Sequence, residues 1–312
     1  MFKKYPSIEN HYRQKFVDGF LSLYPELKNQ WYIITEKRDG SNICLIFRPH
    51  KEDVENIQID YKVASRNRIL GDDENFYGVR DVLPKYSELI KCLQILANDS
   101  NVYINAYFEL FGSGIQNRIN YGKEKYIELF DLRVLNDDSD FFMSPDFIHN
   151  DDVLSKYTVP VLGTVRGIDD ALNFKPEGFD EGKIEGMVIK PYYDVYTNKV
   201  GKIFYIKKKS PEFSEKENKE KKKEKPKFDK DVEELHRIFG QYITRNRVLS
   251  IFSKHGEIQD PKQIGEYIKL VLEDAKEDFF KDGYVISERD SKEIKHVYNH
   301  SKKIVPILQE YL

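Results

Sequence analysis

The sequence predicts an α+β fold, with a larger domain built on antiparallel sheets followed by a small all-α domain. Strand-like runs with interspersed helical segments predominate from about residue 1 to residue 210. After Pro226, apolar residues recur at helical spacing instead. A length of 312 residues suits about two domains. We place the larger domain at 1–215, a lysine-rich linker at 216–230 and a helical domain at 231–312.

Apolar and alternating runs predict the strands of the larger domain. The predicted strands are 31–35, 43–47, 57–63, 102–110, 126–134, 186–190 and 202–207, and a helix is predicted at 86–97. The run at 57–63 alternates cleanly and predicts a half-buried strand. Such a mixture is typical of an antiparallel α+β domain.

The smaller domain is predicted from helical periodicity and helix-start residues. The apolar residues of its first helix are Val232, Leu235, Ile238, Phe239, Tyr242 and Ile243. Asp260 and Pro261 suit an N-cap and a first helical turn. A last helical segment covers 292–311, and we expect Pro306 to bend it.

Composition favours a soluble protein of a reducing cytoplasm. Hydrophobic residues make up 40% and charged residues 33%, and no apolar run has the length of a membrane span. Two cysteines cannot form a disulfide framework, and residues 1–5 lack the apolar core of a secretory signal.

The charge is uneven along the chain. The net charge is −3, yet residues 202–230 contain twelve lysines against six acids. Binding to a polyanion would therefore depend on local clusters. The stretch 216–225 is also typical of a solvated linker or an exposed helix, with RNA contact as a secondary role.

Five short segments carry residues suited to nucleotide chemistry, in a fixed order. They are K-R-D-G at 37–40, S-R-N at 65–67, F-E-L-F-G at 108–112, E-G-M-V-I-K at 185–190 and I-K-K-K at 206–209. Their order and separations are similar to the motifs of the covalent nucleotidyltransferase superfamily. The segments 1–5, 9–12, 112–116, 121–122, 130–131, 209–210 and 213–216 further resemble the bacteriophage T4 RNA ligase 2-like family of ATP-dependent RNA ligases. The resemblance is fainter in the C-terminal region.

This resemblance implies an antiparallel-sheet nucleotidyltransferase (ATP-grasp-like) adenylation domain. Lys37 would attack the α-phosphorus of ATP, giving lysyl-AMP and pyrophosphate, with Mg²⁺ or Mn²⁺ as the metal. Glu185 would help to place the metal and the lysine, and Glu109 would bind the ribose hydroxyls. Arg66 would contact AMP or the phosphate being activated.

The resemblance also implies the remaining nucleotide contacts. Phe130 would stack on adenine, with Leu129 as a weaker candidate, and Glu36 and Asn42 would contribute to the nucleotide and donor-end pocket. Asp39 stands where the phage member of the family has a histidine, although aspartate is the commoner choice in the superfamily. The substitution could change how the metal or the phosphate is held.

The lysines at 207–209 have a physical role in this interpretation. A lysine with a pKa near 10.4 is a poor nucleophile at pH 7, and nearby positive charge lowers that pKa. Lys207 and Lys209 share one face of a strand and would supply this charge to Lys37, whereas Lys208 points away.

The predicted function is ATP-dependent joining of 3′-OH and 5′-phosphate RNA ends, through lysyl-AMP and RNA-adenylate. The resemblance favours nicks in double-stranded RNA, a role in RNA repair, a monomer without membrane contact, and a host cytoplasm if the gene belongs to a phage. The alternatives are a DNA ligase, an mRNA guanylyltransferase or a catalytically silent RNA-binding protein. The first two normally carry a β-barrel directly after the last motif.

Overall fold

The computed structural model describes residues 1–50, 57–215, 232–284, 286 and 290–312. Contacts within these residues define two compact units, Met1–Glu212 and Phe213–Leu312. Residues 213–215, which the sequence analysis assigns to the larger domain, thus belong to the second unit. The predicted linker at 216–230 lies outside the described residues.

The first unit contains two sheets, whose strands come from distant parts of the chain. The strands are β1 (Glu9–Asn10), β2 (Trp31–Lys37), β3 (Ser41–Phe47), β4 (Tyr61–Ser65), β5 (Tyr103–Gly112), β6 (Lys125–Leu135), β7 (Asp140–Phe142), β8 (Val161–Arg166), β9 (Gly186–Pro191) and β10 (Ile206–Lys209). One sheet has the order β1-β10-β9-β2-β8 and the other β4-β3-β5-β6-β7. Every pairing is antiparallel except β1 with β10. The predicted antiparallel α+β class is confirmed.

Helices cover the outer faces of both sheets. The helices of this unit are α1 (Gln14–Leu23), α2 (Val79–Val82), α3 (Ser87–Asp99), α4 (Pro145–Asn150) and α5 (Ile168–Asn173). Leu89 and Leu93 of α3 belong to a buried cluster with Phe108 of β5, and Phe20 of α1 belongs to another with Ile34 of β2. Apolar helix faces thereby remove the outer sheet surfaces from water.

The inner faces of the two sheets meet each other. Cys44 of β3 and Tyr107 of β5 share a buried cluster with Tyr205, which directly precedes β10. Lys190 of β9 donates to Asp131 of β6 at 3.0 Å, so a buried ion pair also connects the sheets.

The second unit is helical, as predicted. Its helices are α6 (Val232–Gly240), α7 (Arg245–His255), α8 (Ile264–Lys281), α9 (Ser291–Val297) and α10 (Ser301–Gln309). A short 3₁₀ turn at Pro261–Gln263 leads into α8, and Asp260 with Gln263 forms a capping box there. The predicted helix start at Asp260 is therefore confirmed. Arg247 of α7 is almost fully buried and pairs with Asp274 and Asp278 of α8.

Two strand predictions are wrong in their extent. Residues 57–60 lie outside β4, which begins at Tyr61 and continues to Ser65. Residues 202–205 lie outside β10, because Asn198 closes a turn by accepting from the backbone of Lys202 at 3.0 Å. The apolar residues at 203–205 are buried, whereas Ile59 is 41% exposed, so in neither segment does the apolar pattern report a strand, which requires a paired neighbour.

The predicted continuous helical segment at 292–311 is also wrong. The segment is divided into α9 and α10 at residues 298–300, and Pro306 lies inside α10. Tyr298 packs edge-on against Phe239 with ring centroids 4.8 Å apart, and His300 Nε2 lies 3.1 Å from the carbonyl of His236. These contacts with α6 place the break where the chain changes direction, not at the proline.

Candidate active site

Lys37 lies at the end of β2, where the chain turns through Arg38, Asp39 and Gly40 into β3. A Cβ at Gly40 would lie 2.4 Å from the carbonyl oxygen of Leu110, so only glycine allows this close approach of the turn to β5. The Lys37 side chain is 24% exposed and remains accessible from solvent. The turn therefore presents the amine at the edge of the space between the sheets.

Glu185 holds two lysines at the centre of the site. Lys37 Nζ donates to Glu185 Oε2 at 2.6 Å, and Lys209 Nζ lies 3.0 Å from Glu185 Oε1. Gly186 stands opposite Lys37 on β2 and opposite Lys209 on β10, so the strand register brings the three side chains together. Burial alone raises the pKa of Glu185, but the charges of Lys37 and Lys209 outweigh it and hold the pKa at about 2.

The three lysines of β10 alternate in direction, as a strand requires. Lys208 donates from Nζ to the carbonyl oxygens of Leu172 and Phe174 at 2.9 and 3.0 Å, on the side away from Lys209. Lys207 is two residues from Lys209 on the same strand and so shares its face. The predicted separation of Lys208 from Lys209 is confirmed.

Glu109 is a second carboxyl group of the site, on the facing sheet. It lies on β5, opposite Asn42 of β3 and Glu128 of β6. Burial, with the charge of Glu185 as a further contribution, raises the pKa of Glu109 to about 8, although the charge of Lys37 lowers it. At neutral pH the side chain is therefore mostly protonated, and it can both donate and accept hydrogen bonds. Asn42 is buried beside it.

Arg66 approaches this carboxyl group from the turn after β4. Its charge lowers the pKa of Glu109, and Arg66 Nη2 donates to Ser7 Oγ at 3.4 Å. Arg66 as a whole is partly buried. The structure thus brings Arg66 to the same cleft as Glu109 and Lys37.

Phe130 faces the cleft, whereas Leu129 faces the opposite side of the sheet. The register of β5 and β6 shifts between Tyr107 and Phe108, which leaves Phe130 as the extra residue of a β-bulge. Its ring packs edge-on against Tyr5 with centroids 5.0 Å apart. Leu129 is fully buried in the core against the helices. Of the two adenine-stacking candidates, Phe130 has the accessible position.

Glu36 is not brought together with Lys37. Neighbouring residues of a strand point to opposite faces, and Glu36 accepts from Arg38 Nη1 at 2.7 Å. Arg38 also forms two hydrogen bonds with Glu128, at 2.7 and 3.0 Å, and lies 5.0 Å from the ring centroid of Phe111. The structure therefore ties the Glu36 side chain to this arginine.

The site contains charged residues that the sequence analysis did not assign. Arg118 pairs with the buried carboxylate of Asp39 through Nε at 3.0 Å and through Nη2. Lys190 and Asp131 form the buried pair between the sheets. Arg118 is far from Asp39 in sequence, so the sequence does not indicate their contact. The one clue in the sequence to a role for Arg118 is its position near the tyrosine–glycine segment at 121–122.

The carboxylates of the site suit a divalent cation that takes its other ligands from phosphates and water. Within the described ranges, no group of three or more His, Cys, Asp or Glu side chains forms a metal cage. Mg²⁺ is commonly bound by one or two carboxylates together with substrate phosphates and water. Glu185, at the centre of the site, is the carboxylate that such an ion would use.

Comparisons with known proteins identify both parts of the chain. A family model described as RNA ligase matches residues 30–209, and a model described as T4 RNA ligase 2 C-terminal matches residues 226–305. The described residues contain no helix long and apolar enough to cross a membrane.

Similar solved structures include several of the RNA ligase of Naegleria gruberi. One, with pyrophosphate, is 21% identical, and another, a mutant with ATP and Mn, is 20% identical. Both have a TM-score of 0.44 and cover 68% of this chain and 57% of theirs, so this chain spans little more than half their length. The first family model alone covers more than half of the 312 residues, and the chain therefore belongs to the RNA ligase family.

Proposed function

We propose that the protein is an ATP-dependent RNA ligase that joins 3′-OH and 5′-phosphate RNA ends. The observation that carries this proposal is the Lys37–Glu185–Lys209 arrangement, with contacts of 2.6 and 3.0 Å, in a member of the RNA ligase family. An accessible amine held between cations and carboxylates suits nucleophilic attack on a phosphate.

In the first step, Lys37 Nζ forms a bond to the α-phosphorus of ATP and pyrophosphate leaves. The amine loses a proton in this step, because only its neutral form is nucleophilic. Glu185 orients Nζ at 2.6 Å, while Lys207 and Lys209 offer positive charge to the phosphates. A bound divalent cation, Mg²⁺ or Mn²⁺, would neutralise charge on the phosphates, and Glu185 would hold it.

Three further residues suit the nucleoside and the RNA end. Glu109, whose pKa of about 8 keeps it mostly protonated at neutral pH, can hydrogen-bond the ribose hydroxyls. Phe130 offers its ring to adenine, and Arg66 offers a guanidinium to a phosphate. AMP would then pass to the RNA 5′-phosphate, and the 3′-OH would displace it.

The substrate that this proposal favours is a nick in duplex RNA, sealed by a cytoplasmic monomer during RNA repair. The C-terminal match to T4 RNA ligase 2 supports this choice over DNA ligase and guanylyltransferase. Among the residues described after β10 the regular structure is helical, without the strands of a β-barrel. Duplex RNA would be recognised by its A-form shape and 2′-hydroxyls.

Labelling with radioactive ATP tests the first step. The full-length protein with Mg²⁺ should gain a covalent AMP label, and Lys37→Met should not. An unlabelled wild-type protein would contradict the proposed activity, and labelling by GTP instead would indicate capping chemistry.

Incubation with nicked RNA duplex, nicked DNA duplex, RNA–DNA hybrids and single strands then identifies the substrate. Preferential sealing of nicked DNA would overturn the assignment to RNA.

A further inference from the structure

Asp39 places a carboxylate in an unfavourable position, two residues after the nucleophile. It is 1% exposed, and burial followed by the charge of Glu185 raises its pKa. A buried charge next to a second carboxylate is costly unless a cation compensates it. The conformation of the turn after Lys37 therefore depends on what pairs with Asp39.

Arg118 supplies the compensating charge. Its Nε donates to Asp39 Oδ2 at 3.0 Å, and its Nη2 donates to Oδ1, so both carboxylate oxygens are bound by one guanidinium. The Arg118 side chain is only 16% exposed. Its charge also lowers the pKa of Glu185, so the guanidinium lies near the carboxylate that holds Lys37.

The loop at 113–124, between β5 and β6, carries Arg118 to this position. Gln116 and Asn117 adopt left-handed φ angles of 58° and 54°, and Asn117 Oδ1 accepts from the backbone of Gly114 at 3.1 Å. A second contact comes from Tyr121, whose hydroxyl accepts from the backbone N–H of Asp39 at 3.0 Å. The Tyr121 ring centroid also lies 5.4 Å from the guanidinium carbon of Arg38. The loop thus contacts both residues that follow the nucleophile.

We propose that Arg118 is a positioning residue for nucleotidyl transfer, acting through Asp39 on the turn that presents Lys37. The inference rests on the proposed function and adds a residue to its site. In this arrangement Arg118 neutralises Asp39 and fixes the turn, so Asp39 does not repel the nearby carboxylate of Glu185. A displacement of the amine by about 1 Å is enough to slow a reaction by about 100-fold.

A charge-removal series tests this role. The single-turnover rate of lysyl-AMP formation at saturating ATP is measured for Arg118→Gln, Asp39→Asn and the double variant. Arg118→Gln leaves the carboxylate unpaired and should be slower by about tenfold or more. The double variant replaces the ion pair with two neutral amides and should recover most of that loss.

Arg133→Gln is the matched control. Arg133 is buried to a similar degree, with 19% of its side chain exposed, and its Nε pairs with Asp140 at 2.5 Å away from the nucleophile turn. Its removal should leave the rate of adduct formation unchanged. A loss equal to that of Arg118→Gln would show a general effect of removing a buried arginine and overturn the proposal.

The outcomes separate this inference from the proposed function. A wild-type protein that forms no AMP adduct contradicts the function itself. A labelled wild type with an equally fast Arg118→Gln variant contradicts only the role of Arg118. If the double variant is as slow as Arg118→Gln, the guanidinium acts on the nucleotide rather than through Asp39. If Arg118→Gln does not fold, Arg118→Lys is measured instead: it keeps a charge but loses the two-point contact with Asp39, so it should form the adduct about tenfold more slowly than wild type. A wild-type rate in that folded variant would also overturn the proposal.

Discussion

At the scale of single residues, the direction of each lysine in β10 determines its contribution. Lys209→Met removes a cation 3.0 Å from Glu185 and should slow lysyl-AMP formation by about 100-fold or more. Lys208→Met should keep most of the activity but lower the melting temperature, because the carbonyls of Leu172 and Phe174 lose their shared donor. Label incorporation and thermal unfolding distinguish these effects. Equal activity losses in both variants would contradict the alternation of the strand.

The raised pKa of Glu109 predicts a pH-dependent stability difference. Its pKa is about 8 in the folded protein, above its ordinary value, so folding retains a proton that the unfolded chain releases. The contribution of Glu109 is fully present at low pH and is lost as pH rises towards 8. Relative to Glu109→Gln, the wild-type protein should therefore lose melting temperature between pH 5 and pH 8.

Comparing the two proteins cancels the contribution of the titratable groups that they share to the pH dependence of the melting temperature. Glutamine keeps the shape of the protonated side chain but does not titrate, so it isolates this carboxyl group. A difference in melting temperature that stays constant from pH 5 to pH 8 would show that Glu109 is not protonated preferentially in the folded state.

At the scale of secondary-structure elements, replacing either of two glycines by alanine should change the stability of the protein in opposite directions. Gly40 joins β2 to β3, and a Cβ there would lie 2.4 Å from a backbone oxygen, so Gly40→Ala should destabilise the protein and reduce labelling. Gly19 lies within α1, and a Cβ added there would meet no atom within 4 Å outside the helix's own backbone. Gly19→Ala should stabilise the protein by up to about 1 kcal/mol through helix propensity. Thermal unfolding checks both, and a tolerated Gly40→Ala would contradict the close approach of the turn to β5.

At the scale of the whole molecule, nucleotide chemistry and RNA sealing should be separable. Residues 1–212 form a compact unit with their own buried clusters and contain every residue assigned to adenylation. A protein truncated from residue 226 onward should therefore still form lysyl-AMP but seal nicks poorly. Gel assays of nicked RNA would measure this. Truncated protein that seals as well as the full chain would show that the helical unit has another role.

Salt dependence provides a second measurement on the full chain. Cations from residue 226 onward, including Lys227 and Lys230, would contact RNA phosphates in addition to the lysines before them, and such contacts weaken with added salt because the release of counterions from the RNA becomes less favourable. Binding of nicked RNA by the full-length protein should weaken with added salt more steeply than binding by the truncated protein. Identical slopes would remove the residues from 226 onward from the binding surface, since the truncated protein keeps ten of the twelve lysines at 202–230.

The sequence by itself determined the fold class and the residues at the centre of the site. Lys37, Glu109, Glu185 and Lys209 each lie in a short contiguous motif, and strand alternation is enough to separate Lys208 from Lys209. The start of α8 was similarly predictable, because a capping box is formed by residues three positions apart. Local patterns of this kind are set by chemistry within one element.

Only the tertiary structure decided the contacts between distant segments. Arg118 reaches Asp39 across 79 positions of sequence, and Arg38 connects Glu36 to Glu128 across 90 positions. The break between α9 and α10 likewise follows packing against α6 and not the position of Pro306. Burial and pairing of charges depend on which surfaces meet, and periodicity within one segment carries no information about its partner.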